Sequence, residues 1–269
     1  MSILNKYRIL EEIGSGSFGV IYKGENIKTL EKVAIKMEPI NSLKLLKNET
    51  NIYQYLKNIK GIPNVKWFGK DEQNYYMVIQ LLGESLETLK RRKRFSLRLI
   101  IQMAVQMIDI IYQIHELGLI HRDIKPENFL LSIDEKQIYL IDFGFCKTYL
   151  CDNTHIHMKN VKMMIGTPNF ASIHSHEFVE LSRRDDLESI GYIICHFYLT
   201  ELMWSKIPFY NENNEINIEN NIIIKEMKQS FIHEIPDVFK TYLLYVRSLT
   251  FTERPDYSYI IELFKHELK

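Results

Sequence analysis

The sequence predicts an α+β chain of two lobes. A small β-rich lobe with one main helix is expected over about residues 1–82, and a larger, mostly helical lobe over 83–269. Three observations carry this. The first eighty or so residues hold alternating, β-branched runs; after Gly83 the apolar spacing becomes helical; and 46% hydrophobic with 25% charged residues is the balance of a chain that buries sizeable cores. No internal repeat and no low-complexity linker interrupts it.

The elements follow in order. "YRILEEIGSGSFGVIYKGEN" (7–26) reads as two strands joined by a glycine-rich turn, and "EKVAIKMEP" (31–39) as a third. Leu43, Leu46, Ile52, Tyr55, Leu56 and Ile59 recur at helical spacing over 42–59. "VKWFGK" (65–70) and "YYMVIQLL" (75–82) are two more strands. A long helix over 95–118 ends at Gly118, and short β runs follow at 128–131 and 137–142. An irregular stretch runs from Phe143 to about Ser182, and four helices are expected over 185–199, 221–232, 237–249 and 257–268.

Composition narrows the partners. With 34 basic and 34 acidic residues the net charge is zero, so neither a nucleic-acid nor a membrane partner is expected. The local basic run "KRRKRF" (Lys90–Phe95) reads as a solvated helix end. Three cysteines without a C-x-x-C (Cys146, Cys151 and Cys195) argue against a disulfide framework or a zinc finger. An intracellular location, cytoplasmic and also nuclear, is the expectation, since the start shows no apolar leader core. The apolar stretch Leu97–Leu119 is interrupted by Arg98, Gln102, Gln106, Asp109 and Gln113, a pattern that suits a buried helix better than a membrane span.

Several short motifs carry chemistry. "GSGSFG" (Gly14, Gly16, Ser17 and Gly19 within it) stands between two strands. There its glycines let backbone N–H groups approach phosphate oxygens, although a plain hairpin turn would use them as readily. "VAIK" places Lys36 in a β-branched strand, where it meets either water or an anion; Glu49 on the next helix is a candidate ion-pair partner. "HRDIKPENFL" (121–130) is the strongest signal. Asp123 can accept a hydroxyl proton, Lys125 can neutralise a moving phosphoryl group, and the Asn128 oxygen suits magnesium. "DFG" then supplies Asp142 as a second magnesium ligand. Each could be a turn or a satisfied core residue alone; their order and spacing together point to phosphoryl transfer.

In these motifs the chain resembles the eukaryotic-type protein kinases from Tyr7 to its end, and the resemblance implies their bilobal fold. Asp123-x-Lys125 is similar to serine/threonine rather than tyrosine kinases. "LLGESLETL", "GTPNFASIHSH", "SRRDDLESIGY" and "RPDYSYIIELF" resemble the casein kinase 1 family, with "ASIHSH" where most protein kinases carry Ala-Pro-Glu. The resemblance implies an ATP- and Mg2+-dependent serine/threonine protein kinase. A kinase-fold scaffold that only binds partners is the alternative. It assigns Ile13 and Ile21 to the roof of an ATP pocket, Ala34 to the adenine contact, Leu130 and Ile141 to the floor, Ile79 to the gatekeeper, and Gln80 to Leu82 to the hinge. Asp186 matches an aspartate that anchors the catalytic loop. Arg122, Lys147 and Lys162 match an anion site, which implies acidic or phosphorylated protein substrates. A second family anion site has an arginine where this chain has Asn169, which removes a fixed charge and a forked donor. A monomer is expected, and so is the lack of the family's regulatory tail after "KHELK".

Two His-x-His pairs, His155 with His157 and His174 with His176, bracket the segment between these motifs. On a strand each pair would share a face. No cysteine or carboxylate spacing completes a ligand set, so a metal is not expected there.

Overall fold

The structure is a computed structural model that describes all residues except 1, 4, 17, 18, 43 and 44, and of 2, 16 and 233 only the backbone. Along the chain come β1 (Ser2–Ile3), β2 (Tyr7–Gly16), β3 (Gly19–Asn26), β4 (Lys32–Pro39), α1 (Leu45–Tyr55), β5 (Val65–Lys70) and β6 (Asn74–Gln80). Then follow α2 (Leu86–Arg92), α3 (Leu97–Glu116), β7 (Leu119–Ile120), β8 (Phe129–Leu131), β9 (Ile138–Leu140), β10 (Lys147–Thr148), β11 (Leu150–Cys151) and β12 (Thr154–His155). The remainder is α4 (Ile173–His176), α5 (Arg183–Tyr198), α6 (Ile218–Ser230), α7 (Asp237–Ser248) and α8 (Tyr257–His266). The chain divides into two compact units, one of residues 1–84 with 130–144, the other of 85–129 with 145–269.

In the first unit an antiparallel sheet runs in the order β1-β2-β3-β4-β6-β5. Its β-branched and aromatic residues alternate inward, so Val33, Ile35, Tyr76 and Val78 have no exposed surface and Trp67 packs on them partly buried. Helix α1 buries Leu46, Glu49, Thr50 and Tyr53, one stripe at helical spacing. Its start is capped from the sheet: the buried Glu38 carboxylate accepts the Leu45 and Leu46 N–H groups, both at 3.0 Å. Leu43, in the expected start of this helix, lies outside the described residues. The β8–β9 hairpin, read from the sequence as part of the second lobe, groups with the first unit. Leu140 N–H donates to the Gly61 carbonyl and Gly83 N–H to that of Leu131, each at 2.8 Å.

The second unit is built on α3, whose Ser96 side chain caps its start. Among the described residues α3 alone is long and apolar enough to cross a membrane. Its apolar stripe is fully covered, with Ile100, Ala104, Met107, Ile108, Ile111 and Ile114 all without exposed surface. Trp204, Tyr192, Tyr242, Phe239 and Phe264 fill the rest of this core. "SRRDD" at 182–186 is also buried throughout. Arg183 donates to the Thr252 carbonyl at 2.6 Å and Arg184 to that of Leu249 at 2.8 Å, so the charged run is held by main chain.

The stretch before the long helix contains α2, capped by Ser85, of which the sequence reading named only the basic end. That end is solvated as expected, with Arg91 to Arg94 exposed. Lys90 donates to the Thr200 carbonyl, Arg94 to the Thr200 hydroxyl, and Arg91 pairs with Glu87.

Candidate active site

The first unit presents a lysine between two carboxylates. Lys36, paired in the ladder with Ile21 on one side and Met77 on the other, places its Nζ 2.7 Å from Glu49 and 3.4 Å from Asp142. Its side chain is 12% exposed and that of Glu49 only 2%. Burial alone would lower the lysine's pKa, but the two carboxylates outweigh it and hold the pKa above its usual value. Asp142 sits at a left-handed φ of 67°, a costly conformation for a side-chain-bearing residue, and its N–H is held by the Tyr53 hydroxyl at 3.0 Å. Asp142 remains a quarter exposed, so it is open to a cation as well as to Lys36.

The residues assigned to the nucleotide also lie in this unit. Ala34 pairs with Ile79 and Val33 with Gln80 across β4 and β6. Ile13, Gly14, Ile21, Leu130 and Ile141 are exposed or half-buried, and Leu82 is nearly buried. Gly16 pairs with Gly19 where β2 and β3 close, while Ser17 lies outside the described residues. Gly19 has φ 136°, and a Cβ there would meet the Met37 carbonyl oxygen at 2.1 Å, so only glycine fits.

The second unit presents a buried carboxylate held by two donors. Asp123 is buried and has both carboxylate oxygens engaged: Oδ2 by Lys125 Nζ at 2.7 Å, and Oδ1 by the Thr167 hydroxyl at 2.8 Å. Lys125 also donates to that hydroxyl at 3.1 Å, which closes a triangle. Asn128 donates its Nδ2 to the Asp123 carbonyl at 2.9 Å, which leaves its oxygen for a cation. The loop is anchored by Asp186, whose two oxygens accept the His121 and Arg122 N–H groups at 2.7 and 2.8 Å. Arg122 has φ 71°, and its Nε donates to the Phe145 carbonyl at 2.7 Å. Strain at such a residue persists only where the surroundings over-determine it, and here they do.

Two of the three residues assigned to an anion site, Arg122 and Lys147, meet at one carboxylate. The buried Glu180 takes Lys147 at 2.7 Å, with Arg122 at 3.8 Å and Lys159 at 4.0 Å. Lys162 is exposed and stands outside this group. Three cations around one carboxylate leave an excess of positive charge. Glu180, Lys159 and Thr167 were missed as members of these clusters, because no local pattern pairs them with their partners.

The His-x-His pairs do not act as pairs. His155 turns its Nδ1 to the Ile156 carbonyl and packs on Tyr149 and Phe251, while His157 is exposed. His176 bonds Asn221. His174 does meet two carboxylates, Asp185 and Glu188, contrary to the spacing argument. Those oxygens are taken up within the fold: Asp185 accepts from Ser172 and from the Ser182 N–H, and Glu188 from Tyr192 and Arg247.

His176 yields a pH prediction. Burial and the nearby Lys228 charge push its pKa down to about 3. The unfolded chain therefore takes up this proton first. Stability is full above the ordinary histidine value and is lost as pH falls toward the folded value, at about 1.4 kcal/mol per pH unit. Urea unfolding between pH 7.5 and 4.5 measures it. His176→Gln should flatten the slope by one proton, and parallel slopes would contradict the assignment.

One comparison with known proteins completes the picture. A family model described as "Protein kinase domain" matches residues 7–263, a span that contains every residue of the candidate site. The chain belongs to the protein kinase domain family.

Proposed function

We propose that this protein kinase is an ATP- and magnesium-dependent serine/threonine kinase resembling casein kinase 1, acting on acidic or phosphorylated protein substrates. The observation that carries the reading is the Asp123–Lys125–Thr167 triangle: a buried carboxylate held beside a lysine two residues on and a hydroxyl of the following segment. In this reading Asp123 receives the proton of the accepting hydroxyl, and Lys125 offsets charge on the transferred phosphoryl group. Lys36, steadied by Glu49, holds phosphate oxygens, and the Gly14–Gly19 turn lets backbone N–H groups come close to them. Asn128 and Asp142 would hold magnesium, which supplies charge neutralisation at the phosphates when bound. Catalysis is then mainly positioning and electrostatics.

Arg122, Lys147 and Lys159 around Glu180 support a preference for negative charge in the substrate, since arginine and lysine clusters recognise carboxylate and phosphate. Asn169 removes the charge of the second family anion site, so the preference rests on the first. The enzyme would work as a monomer.

A degenerate peptide library with labelled ATP and Mg2+ tests all of this at once. The expected profile is serine and threonine phosphorylation favoured by acidic or phosphorylated neighbours. Phosphotyrosine would overturn the residue choice, and a preference for basic neighbours the anion reading. ATP binding without transfer to any peptide would leave the binding scaffold.

A further inference from the structure

Lys228, in the last turns of α6, has no exposed surface at all. A buried ammonium normally needs a carboxylate. Among the described residues none forms a direct ion pair with it, and the Glu188 carboxylate acts on it only through its charge. Its Nζ is instead surrounded by three other acceptors: the Pro168 carbonyl at 2.8 Å, the Ala171 carbonyl at 2.6 Å and His176 Nε2 at 3.0 Å. It also lies over the rings of Tyr192 and Trp204, at 4.6 and 5.4 Å from their centroids.

The protonation state follows from this chain of partners. The His176 carbonyl can only accept, so the Asn221 Nδ2 must face it, at 3.0 Å. The Asn221 Oδ1 then faces His176 Nδ1 at 2.6 Å, and Nδ1 carries the ring proton. Nε2 is left as an acceptor. Three acceptors around one nitrogen require three N–H donors, which an ammonium has and a neutral amine lacks. Burial lowers the pKa of Lys228 well below its usual value; the Glu188 carboxylate favours the charged form and the Arg247 charge opposes it. The three acceptors fix where its protons point.

The carbonyls it grips belong to one stretch. Trp204 Nε1 donates to the carbonyl between them, that of Asn169, at 2.9 Å. The stretch begins at Thr167, which bonds Asp123 and Lys125. Just before it, Gly166 has φ 96°, and a Cβ there would come within 2.8 Å of the Arg122 carbonyl oxygen. Residues 166–171 are therefore fixed at one end by the Asp123 loop and along the rest by two buried side chains.

We infer that Lys228, with Trp204, is a positioning residue for the protein substrate, holding main chain 168–171 as the rest beside Asp123 for residues flanking the accepting hydroxyl. The inference rests on the protein-kinase reading proposed above. Lys228→Met keeps the length of the side chain and deletes all three donors. With the peptide selected by the library, its KM for peptide should rise roughly tenfold, the worth of one or two lost hydrogen bonds, while its KM for ATP stays within about twofold. Amide exchange should accelerate over 166–172 and little elsewhere. Lys228→Arg, which keeps cationic donors, should fall between Lys228→Met and the unaltered chain. A folded Lys228→Met with an unchanged peptide KM overturns the role, as does an equal rise for ATP and peptide. Where melting shows that Lys228→Met does not fold, Trp204→Phe decides: it removes one donor, and an unchanged peptide KM sinks the inference. An unaltered chain that phosphorylates no peptide overturns the kinase reading itself, and this role with it.

Discussion

Asp123→Asn should lower kcat by roughly 10²- to 10⁴-fold, the range typical of a lost general base, if Asp123 takes the proposed role. The geometry makes the loss specific. Both oxygens of the native carboxylate receive donors, from Lys125 and from Thr167. A carboxamide offers one acceptor and turns an NH2 toward a donor on its other side, so it neither takes up a proton nor keeps the triangle. The rest of the loop is held by main-chain bonds to Asp186 and is unaffected. The KM for ATP should therefore change little, and thermal melting should stay within a few degrees. Steady-state kinetics with a preferred peptide is the measurement. A kcat within tenfold of the unaltered chain would remove Asp123 from the base role.

Asp186→Ala should cost stability on the order of 3–5 kcal/mol, as expected when one partner of a buried, charged hydrogen-bond group is deleted. Burial alone would raise the pKa of this fully enclosed carboxyl, but the His115 bond and the main-chain donors outweigh that and hold it below the usual range. Removal orphans two backbone N–H groups and His115 Nε2, which lies 3.0 Å from the carboxylate. The other ring nitrogen of His115 is tied to the Tyr257 hydroxyl at 2.7 Å, so the ring cannot simply turn to a new partner. Asp186→Asn, which retains an acceptor, should lose less. Activity should fall further than stability alone requires, because Arg122 at its left-handed φ loses the bond that fixes it. Urea unfolding would show this directly, and a loss below about 1 kcal/mol would mean that the loop is held by something else.

The strands of the first unit and the long helices were legible because their burial is one-sided and periodic, as at Val33, Ile35, Tyr76 and Val78. The groups of the candidate active site were legible because phosphoryl transfer demands particular residue types in a particular order. What stayed hidden depends on partners distant in the chain. Lys228 reads as a surface lysine on a polar helix until carbonyls some sixty residues earlier are found around it. The arginines of "SRRDD" do not announce their acceptors, the carbonyls of Thr252 and Leu249. Glu180 reads as one more acidic residue until three cations gather on it. The attachment of β8 and β9 to the first unit rests on main-chain bonds to Gly61 and Gly83, which no side-chain pattern announces.

The placement of the two tryptophans has a practical consequence. Trp67 belongs to the first unit and is partly exposed; Trp204 belongs to the second and is sealed against Tyr192 and Phe231. The chain thus carries one tryptophan per unit, in environments of different polarity. Excited at the red edge, where tyrosine does not absorb, its emission is the sum of these two indole signals. The Trp204 component originates on the very side chain that holds the Asn169 carbonyl, so it is a built-in optical gauge of that stretch, with no label added.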